Sequence, residues 1–227
     1  MNVRRYLLAL DMAPLSLPRG LALGLVAVLV SVALSACGSA PARAPGTASV
    51  VSAPVRIAHT RLGAVGYRVV GTGPPLVLIM GYAGTIEDWD PRLVHALAAH
   101  HRVVMFDNSG VGDTQQLPQP FSIDAMADQV SALIDTLGLG RPDVLGWSMG
   151  GMTAQAVAVL HPAQVSRLIL CATYPGTGQA VVPSAAVIPG ARLVLYPDAG
   201  HAFLFQDWSP FASLVNSFLT SHPTTKG

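Results

Sequence analysis

Across residues 55–221, short apolar runs alternate with segments in which apolar residues recur every three or four positions. The runs predict buried β-strands, and the periodic segments predict helices packed on a sheet. Strands are expected directly before Ser148 and over residues 55–60, 65–70, 76–80, 103–106, 165–172 and 192–196. Helices are expected over residues 92–99, 122–137, 149–160 and 208–220. Because helices separate most of the strands, the pattern predicts an α/β fold with a mostly parallel central sheet and helices on both faces.

Residues 1–36 have the pattern of an export signal. Basic residues precede an uncharged run over 21–36, which is short for a spanning helix and rich in small residues near its end. The run closes on Leu34-Ser35-Ala36-Cys37, which resembles a bacterial lipobox. The resemblance implies that Cys37 is lipidated and anchors an exported protein to the outer face of the cell membrane. An ordinary signal peptide or a single-pass anchor is the alternative, and Met12 is an alternative start.

Composition indicates the domain boundaries and limits the kinds of partner expected for the rest of the chain. Residues 37–54 are rich in Ala, Pro, Gly and Ser, which predicts a flexible tether to a domain over 55–221, followed by a tail over 222–227. The net charge is +1 and charged residues make up 11%, so no nucleic-acid partner is expected. Only Cys171 remains in the domain, where its apolar neighbours predict a small buried residue. No residue spacing suits a metal or cofactor, and none is expected.

Ser148 lies in the segment Gly146-Trp147-Ser148-Met149-Gly150, between a predicted strand and a predicted helix. This is the pattern of a nucleophile elbow, a turn so tight that a Cβ at either flanking glycine would collide with backbone. Such a turn places the serine hydroxyl beside a helix N-terminus, which favours developing negative charge. It also supplies the backbone N–H of Met149 as an oxyanion donor. The alternative interpretation is a glycine-rich turn that contains a serine by chance.

Four stretches resemble α/β-hydrolase fold proteins of the esterase, lipase and cofactor-free haloperoxidase type. They are residues 80–82 (MGY), 106–112 (FDNSGVG), 146–151 (GWSMGG) and 197–201 (PDAGH), and the resemblance covers about 57–219. It implies that Ser148 is the nucleophile and that His201 is its general base. It also implies a second oxyanion donor, the backbone N–H of Tyr82, and an Asp107 that organises the loop after it.

The resemblance does not extend to the usual position of the catalytic acid. The fold carries the acid between the serine and the histidine in chain order, and Asp198 is the only Asp or Glu between Ser148 and His201. Relatives place the acid after a separate strand, and both that strand and the lid before it are expected to be missing here. The fold is therefore predicted to be shortened, with Asp198 a weak acid candidate and Asp207 a weaker one.

The missing strand has a consequence for the sheet. The last strand is expected either to move beside residues 165–172 or to leave an unfilled place with unpaired backbone groups. Displacement would shift His201 away from Ser148. Without a carboxylate, the imidazole could also adopt the wrong tautomer, which weakens catalysis without abolishing it.

The favoured function is a serine hydrolase that cleaves small carboxylic esters through an acyl-enzyme intermediate, and a cofactor-free haloperoxidase or perhydrolase is a side branch of it. The first alternative is a lipid-anchored binding protein that kept the fold and lost turnover. The second is an unstable, inactive shortened form of a larger enzyme. Five other histidines are expected to be solvated or to cap helices: His59, His95, His100, His101 and His161.

Overall fold

An eight-stranded sheet is the centre of the computed structural model, which describes residues 6–11, 52–119, 121–173, 192–196 and 198–221. The strands are β1 (Tyr6–Asp11), β2 (Arg56–Thr60), β3 (Gly63–Val70), β4 (Pro75–Ile79), β5 (Arg102–Phe106), β6 (Asp143–Trp147), β7 (Arg167–Cys171) and β8 (Arg192–Leu195). Their order across the sheet is β2-β3-β5-β4-β6-β7-β1-β8. Strands β5, β4, β6 and β7 are parallel. The β2–β3 and β3–β5 pairs are antiparallel, and β1 is antiparallel to both of its neighbours.

Helices cover both faces of the sheet. They are α1 (Pro91–Ala98), α2 (Ile123–Thr136), α3 (Met149–Leu160), α4 (Phe203–Gln206) and α5 (Trp208–Ser221). One core layer joins the sheet to α1 and α5, and the other joins it to α2 and α3. Alternate residues of β4 belong to opposite layers, as the pleat of a strand requires. The predicted α/β fold, with a mostly parallel sheet and helices on both faces, is confirmed.

The predicted elements agree with the observed ones to within two residues at each end. Among the α-helices and β-strands that the structure describes, only α4 and β1 were not expected. The predicted cap of α2 is present, because the Ser122 hydroxyl accepts a hydrogen bond from the Ala125 N–H at 3.1 Å. Local sequence signals therefore fix these helices and strands almost completely.

The place beside β7 is filled by β1, so neither expectation for the last strand is correct. Leu7 pairs with Cys171 on one side and with Val194 on the other. The N-terminal strand supplies the backbone partners that β7 and β8 would otherwise lack, and this removes the need for displacement. Residues 6–11 also belong to the segment that the sequence assigns to an export signal. Cleavage before Cys37 would remove β1 from the sheet.

Several predicted features lie outside the described residues. They are the lipobox at Cys37, the tether up to residue 51, the segment 174–191 where a lid would lie, and the tail 222–227. Among the helices that are described, none combines the length and the apolar character needed to cross a bilayer.

Candidate active site

Ser148 lies at a strained turn between β6 and α3. Its backbone has φ 56° and ψ −122°, in the positive-φ region that residues with a side chain rarely adopt. A Cβ on Gly146 would collide with the backbone of Gly150. A Cβ on Gly150 would in turn collide with carbonyl oxygens at the end of β4. The strand, turn and helix predicted around the serine are therefore present, and the flanking glycines are there because nothing larger fits.

The elbow is fixed to the end of β7. The Ser148 N–H donates to the carbonyl oxygen of Cys171 at 2.9 Å. One turn further on, Gly151 packs so closely on Thr173 that a Cβ there would collide with the threonine side chain. Cys171 is completely buried, and this burial raises the pKa of its thiol. The prediction that Cys171 is a small buried residue is confirmed.

His201 lies in the turn between β8 and α4. Its Nε2 is 2.9 Å from the Oγ of Ser148, a hydrogen-bond distance. When Nε2 is unprotonated the serine hydroxyl donates to it, which is the arrangement that a general base requires. The turn is also held internally, since the Gly200 N–H donates to Oε1 of Gln206 at 3.0 Å. The expected separation of His201 from Ser148 is wrong, because β1 keeps β8 in a place from which the histidine reaches the elbow.

The loop after β4, residues 80–84, passes directly beside the elbow. A Cβ on Gly81 would lie only 3.3 Å from the Cβ of Ser148. The Tyr82 side chain is 81% exposed, so its ring does not form part of the core. Met149 is the first residue of α3, and its N–H has no partner within the helix. The backbone N–H groups of Tyr82 and Met149 remain the predicted oxyanion donors.

Asn108, which sequence reasoning missed, holds this loop. Its side-chain amide donates to the carbonyl oxygens of Met80 at 3.2 Å and Gly81 at 2.6 Å. Its backbone N–H donates to the carbonyl oxygen of Gly84 at 3.1 Å. In all three bonds a carbonyl group of the loop is the acceptor. The Tyr82 N–H takes part in none of these three bonds. Asn108 lies in the stretch 106–112 that carries the resemblance, but a single sequence gives no sign that its amide faces this loop.

Asp107 ties two loops together beside Asn108. Its Oδ1 accepts from the Ile86 N–H at 2.8 Å, and its Oδ2 accepts from the Asp113 N–H at 2.9 Å. Asp107 is 4% exposed, so its carboxylate accepts these bonds largely away from water, where a hydrogen bond is electrostatically stronger. The structural role predicted for Asp107 is confirmed.

The position of Asp198 leaves its catalytic role a prediction. It is exposed and lies in the same turn as His201. The hydrogen bond that the structure gives for the imidazole joins its Nε2 to Ser148. Strand β1 does not bring an acid to this edge either. It runs antiparallel to β7, so Asp11 pairs with Arg167 at the opposite end of the sheet.

A buried polar cluster lies at that opposite end of the strands. Arg167 donates from Nε and Nη2 to the two carboxylate oxygens of Asp143, both at 2.9 Å. Its Nη1 also donates to the carbonyl oxygen of Leu219 in α5. His101 is 2% exposed next to this cluster, and burial lowers the pKa of its imidazole. The expectation of a solvated or capping His101 is wrong, because α5 covers the turn that leads from α1 into β5.

The other histidines that the structure describes do not form a metal site. His161 ends α3, and its Nε2 lies 2.7 Å from a carboxylate oxygen of Asp128. His59 is exposed on β2. Among the described residues, no group of three or more His, Cys, Asp or Glu side chains is placed to hold a metal ion.

The fold and the site define the class of protein: an α/β protein with a serine at a nucleophile elbow and a histidine within hydrogen-bond distance of it. Residues 74–187, half of the chain, match the sequence model of the alpha/beta hydrolase fold. The chain belongs to the alpha/beta hydrolase fold family.

Individual relatives match a similar share of the chain. A Mycobacterium tuberculosis protein named as a candidate non-heme bromoperoxidase, BpoC, is 41% identical over 45% of this chain and 39% of its own. A pimeloyl-[acyl-carrier protein] methyl ester esterase from Pseudoalteromonas atlantica is 36% identical over 52% of this chain and 43% of its own. The crystal structure of a hydrolase from Pseudomonas aeruginosa PA01 has 30% identity and a TM-score of 0.48, covering 52% of this chain and 45% of that one. The chain therefore spans less than half the length of each of these relatives.

Proposed function

We propose that this protein is a serine hydrolase that cleaves carboxylic esters of small molecules through an acyl-enzyme intermediate. The observation that carries the proposal is the 2.9 Å distance between the Oγ of Ser148 and the Nε2 of His201. The strained elbow and the adjacent loop 80–84 support it, since both are parts that acyl transfer needs. The relative named as a methyl ester esterase supports an ester as substrate.

The reaction follows from these positions. The Ser148 oxygen attacks the ester carbonyl carbon while Nε2 of His201 takes the hydroxyl proton. The N–H groups of Met149 and Tyr82 donate to the oxyanion, and the positive end of α3 adds to this stabilisation. Collapse of the tetrahedral intermediate breaks the bond to the leaving alcohol, which receives the proton from His201. Water, deprotonated by the same imidazole, then hydrolyses the acyl-serine and restores the enzyme.

Covalent labelling tests the proposal directly. The purified full chain is treated with a fluorophosphonate probe and assayed with p-nitrophenyl acetate, and the labelled residue is found by mass spectrometry. We expect label on Ser148, and we expect Ser148→Ala to lose both label and hydrolysis, with kcat lower by about 10⁴-fold or more. Ser213→Ala, in an exposed helical serine of α5, is the control. Folded wild-type protein that takes no label would contradict the proposal and favour the binding protein without turnover.

Asp198 is proposed as the acid that orients His201, because chain order offers no other carboxylate between the serine and the histidine. Asp198→Asn keeps the size of the side chain and removes its charge. Loss of more than about tenfold in kcat, with Asp124→Asn in an exposed residue of α2 as the control, would support this role. A wild-type rate in Asp198→Asn would reject it.

We also propose that the protein is exported and anchored to the membrane by lipidation of Cys37. The lipobox-like tetrad supports it. The place of residues 6–11 in the sheet opposes it, because cleavage would remove them. The mass of the N-terminal peptide of the membrane-associated protein distinguishes the cleaved from the uncleaved form.

A further inference from the structure

The indole of Trp147, the residue directly before the nucleophile, contacts two other parts of the site. Its N–H donates to the backbone carbonyl oxygen of His201 at 3.0 Å, between residues 54 positions apart in sequence. The indole and imidazole ring centroids are 5.2 Å apart, with the planes inclined by 39°. In the loop after β4 (residues 80–84, the oxyanion loop), a Cβ on Gly81 would lie 3.1 Å from the indole ring. The Trp147 side chain therefore contacts both the turn that carries His201 (the histidine turn, between β8 and α4) and the oxyanion loop. The next residue in the chain is Ser148.

We propose that Trp147 is a positioning residue that holds His201 at hydrogen-bond distance from Ser148. The proposal rests on the proposed function, since a base is needed here only if Ser148 is a nucleophile. Fixing a carbonyl group fixes the adjacent Cα, after which few side-chain rotamers remain for the imidazole. Because Trp147 and Ser148 are consecutive, the donor and the nucleophile move together. The hydrogen bond therefore fixes the position of His201 relative to the elbow and not relative to the rest of the sheet.

The histidine turn has a particular need for such a link. Strand β8, which leads into the turn, is separated from β7 by β1. The turn itself is partly exposed, and its bond between Gly200 and Gln206 stays within the C-terminal part of the chain. The Trp147 bond connects this turn to the elbow. A shift of about 1 Å in a catalytic group is enough to reduce rate substantially, so the link bears on catalysis.

A second tryptophan separates this role from simple packing. The ring of Phe205 packs against Trp147 at 5.2 Å and against Trp89 at 6.0 Å, both edge to face. The Nε1 of Trp89 is buried and has no hydrogen-bond partner among the described residues. Replacement by Phe keeps an aromatic ring at either position but removes a bond to His201 only at Trp147. Trp89→Phe is therefore a matched control.

The kinetic test compares Trp147→Phe with Trp89→Phe in the full chain. We expect Trp147→Phe to lower kcat for p-nitrophenyl acetate, and the rate of fluorophosphonate labelling, by about tenfold. Its KM should stay within about twofold of wild type, because the change affects the base and not ester binding. Trp89→Phe should keep kcat within about twofold, and urea unfolding should verify that both variants are folded. Equal kcat in the two variants would overturn the proposal.

Proton NMR of the imidazole distinguishes failure of this proposal from failure of the proposed function. If the wild type neither takes label nor cleaves esters, the proposed function fails, but the link can still be examined in the resting protein. The Cε1–H signal of His201, assigned from its loss in His201→Gln, should move in Trp147→Phe and stay in place in Trp89→Phe. A signal unchanged in both variants would show that Trp147 does not position the imidazole.

Discussion

The proposed nucleophile and its base lie on two regions that are built differently. The central body, residues 52–173, contains β2 to β7, the elbow and the oxyanion loop, and each of its strands pairs with others of the same body. The C-terminal segment, described over 192–196 and 198–221, contributes His201 and a single strand, β8. Within the described chain, β8 pairs only with β1, which comes from the far N-terminus. The site therefore depends on contacts between regions that are far apart in sequence.

Helix α5 and the buried cluster link the two regions at the end away from the site. Phe211 and Phe218 of α5 are fully buried in the core layer shared with α1. The Asn216 amide donates to the carbonyl oxygen of Ala96 at the end of α1, at 3.1 Å. Arg167 joins the carboxylate of Asp143, in the body, to the carbonyl of Leu219. Perturbing these links should reveal how far the site depends on them.

The largest effect is expected from Arg167→Met. The change leaves the Asp143 carboxylate buried without its bidentate partner and frees the end of α5. Because an unpaired buried charge is costly, the free energy of unfolding should fall by about 3–5 kcal/mol, as measured by urea unfolding. Arg56→Met, in an exposed arginine of β2, is the control. The double variant with Asp143→Leu should regain much of the loss. Wild-type stability in Arg167→Met would contradict this account of the link.

Sequence reasoning is accurate for the individual helices and strands and incomplete for contacts between residues far apart in sequence, for a physical reason. Apolar alternation, the Ser122 cap and the glycines around Ser148 are local signals, and each specifies its own element. Which strand lies beside β7 depends on pairing with residues 6–11, and their composition predicts an export signal just as well. The buried setting of His101 and the bonds of Asn108 and Trp147 likewise depend on contacts that are remote in sequence. No pattern in one chain encodes them.

The second prediction concerns β1 and tests whether the C-terminal segment needs it. Ala9 lies in the middle of β1, between Ile169 and Arg192. Ala9→Pro removes an N–H and introduces a ring that a strand paired on both sides cannot accommodate. We expect labelling of Ser148 to slow by about 10²-fold, because His201 loses its fixed distance from the elbow. Labelling is measured on protein whose N-terminus has been determined by mass spectrometry.

The control for this prediction is Ala13→Pro, outside β1. If both variants label at the wild-type rate, β1 is not needed for the site. If the purified protein also begins at Cys37, residues 6–11 are removed during processing, and the sheet of the mature protein must be completed in another way. Slow labelling of Ala9→Pro alone would place residues 6–11 in the working enzyme.

The smallest effect concerns pH and the imidazole of His101 at the junction of the two regions. Burial lowers the pKa of His101 below its ordinary value of about 6.5, and the nearby Asp143 carboxylate opposes that shift only in part. The unfolded chain therefore binds a proton below pH 6.5 that the folded chain resists. The contribution to stability is complete above that pH and is lost as the pH falls. For one proton the slope cannot exceed about 1.4 kcal/mol per pH unit.

Urea unfolding at pH 7.5 and pH 5.5 measures this contribution. The fall in the free energy of unfolding between the two values should be smaller in His101→Gln than in wild type, because the variant has no group that titrates at this position. His59→Gln, in an exposed histidine of β2, should keep the wild-type fall. If His101→Gln and wild type lose the same amount, His101 is protonated as readily in the folded protein as in the unfolded chain. The junction between the body and the C-terminal segment would then be open to water at this histidine, in contrast to the closed packing that α5 provides around Phe211 and Phe218.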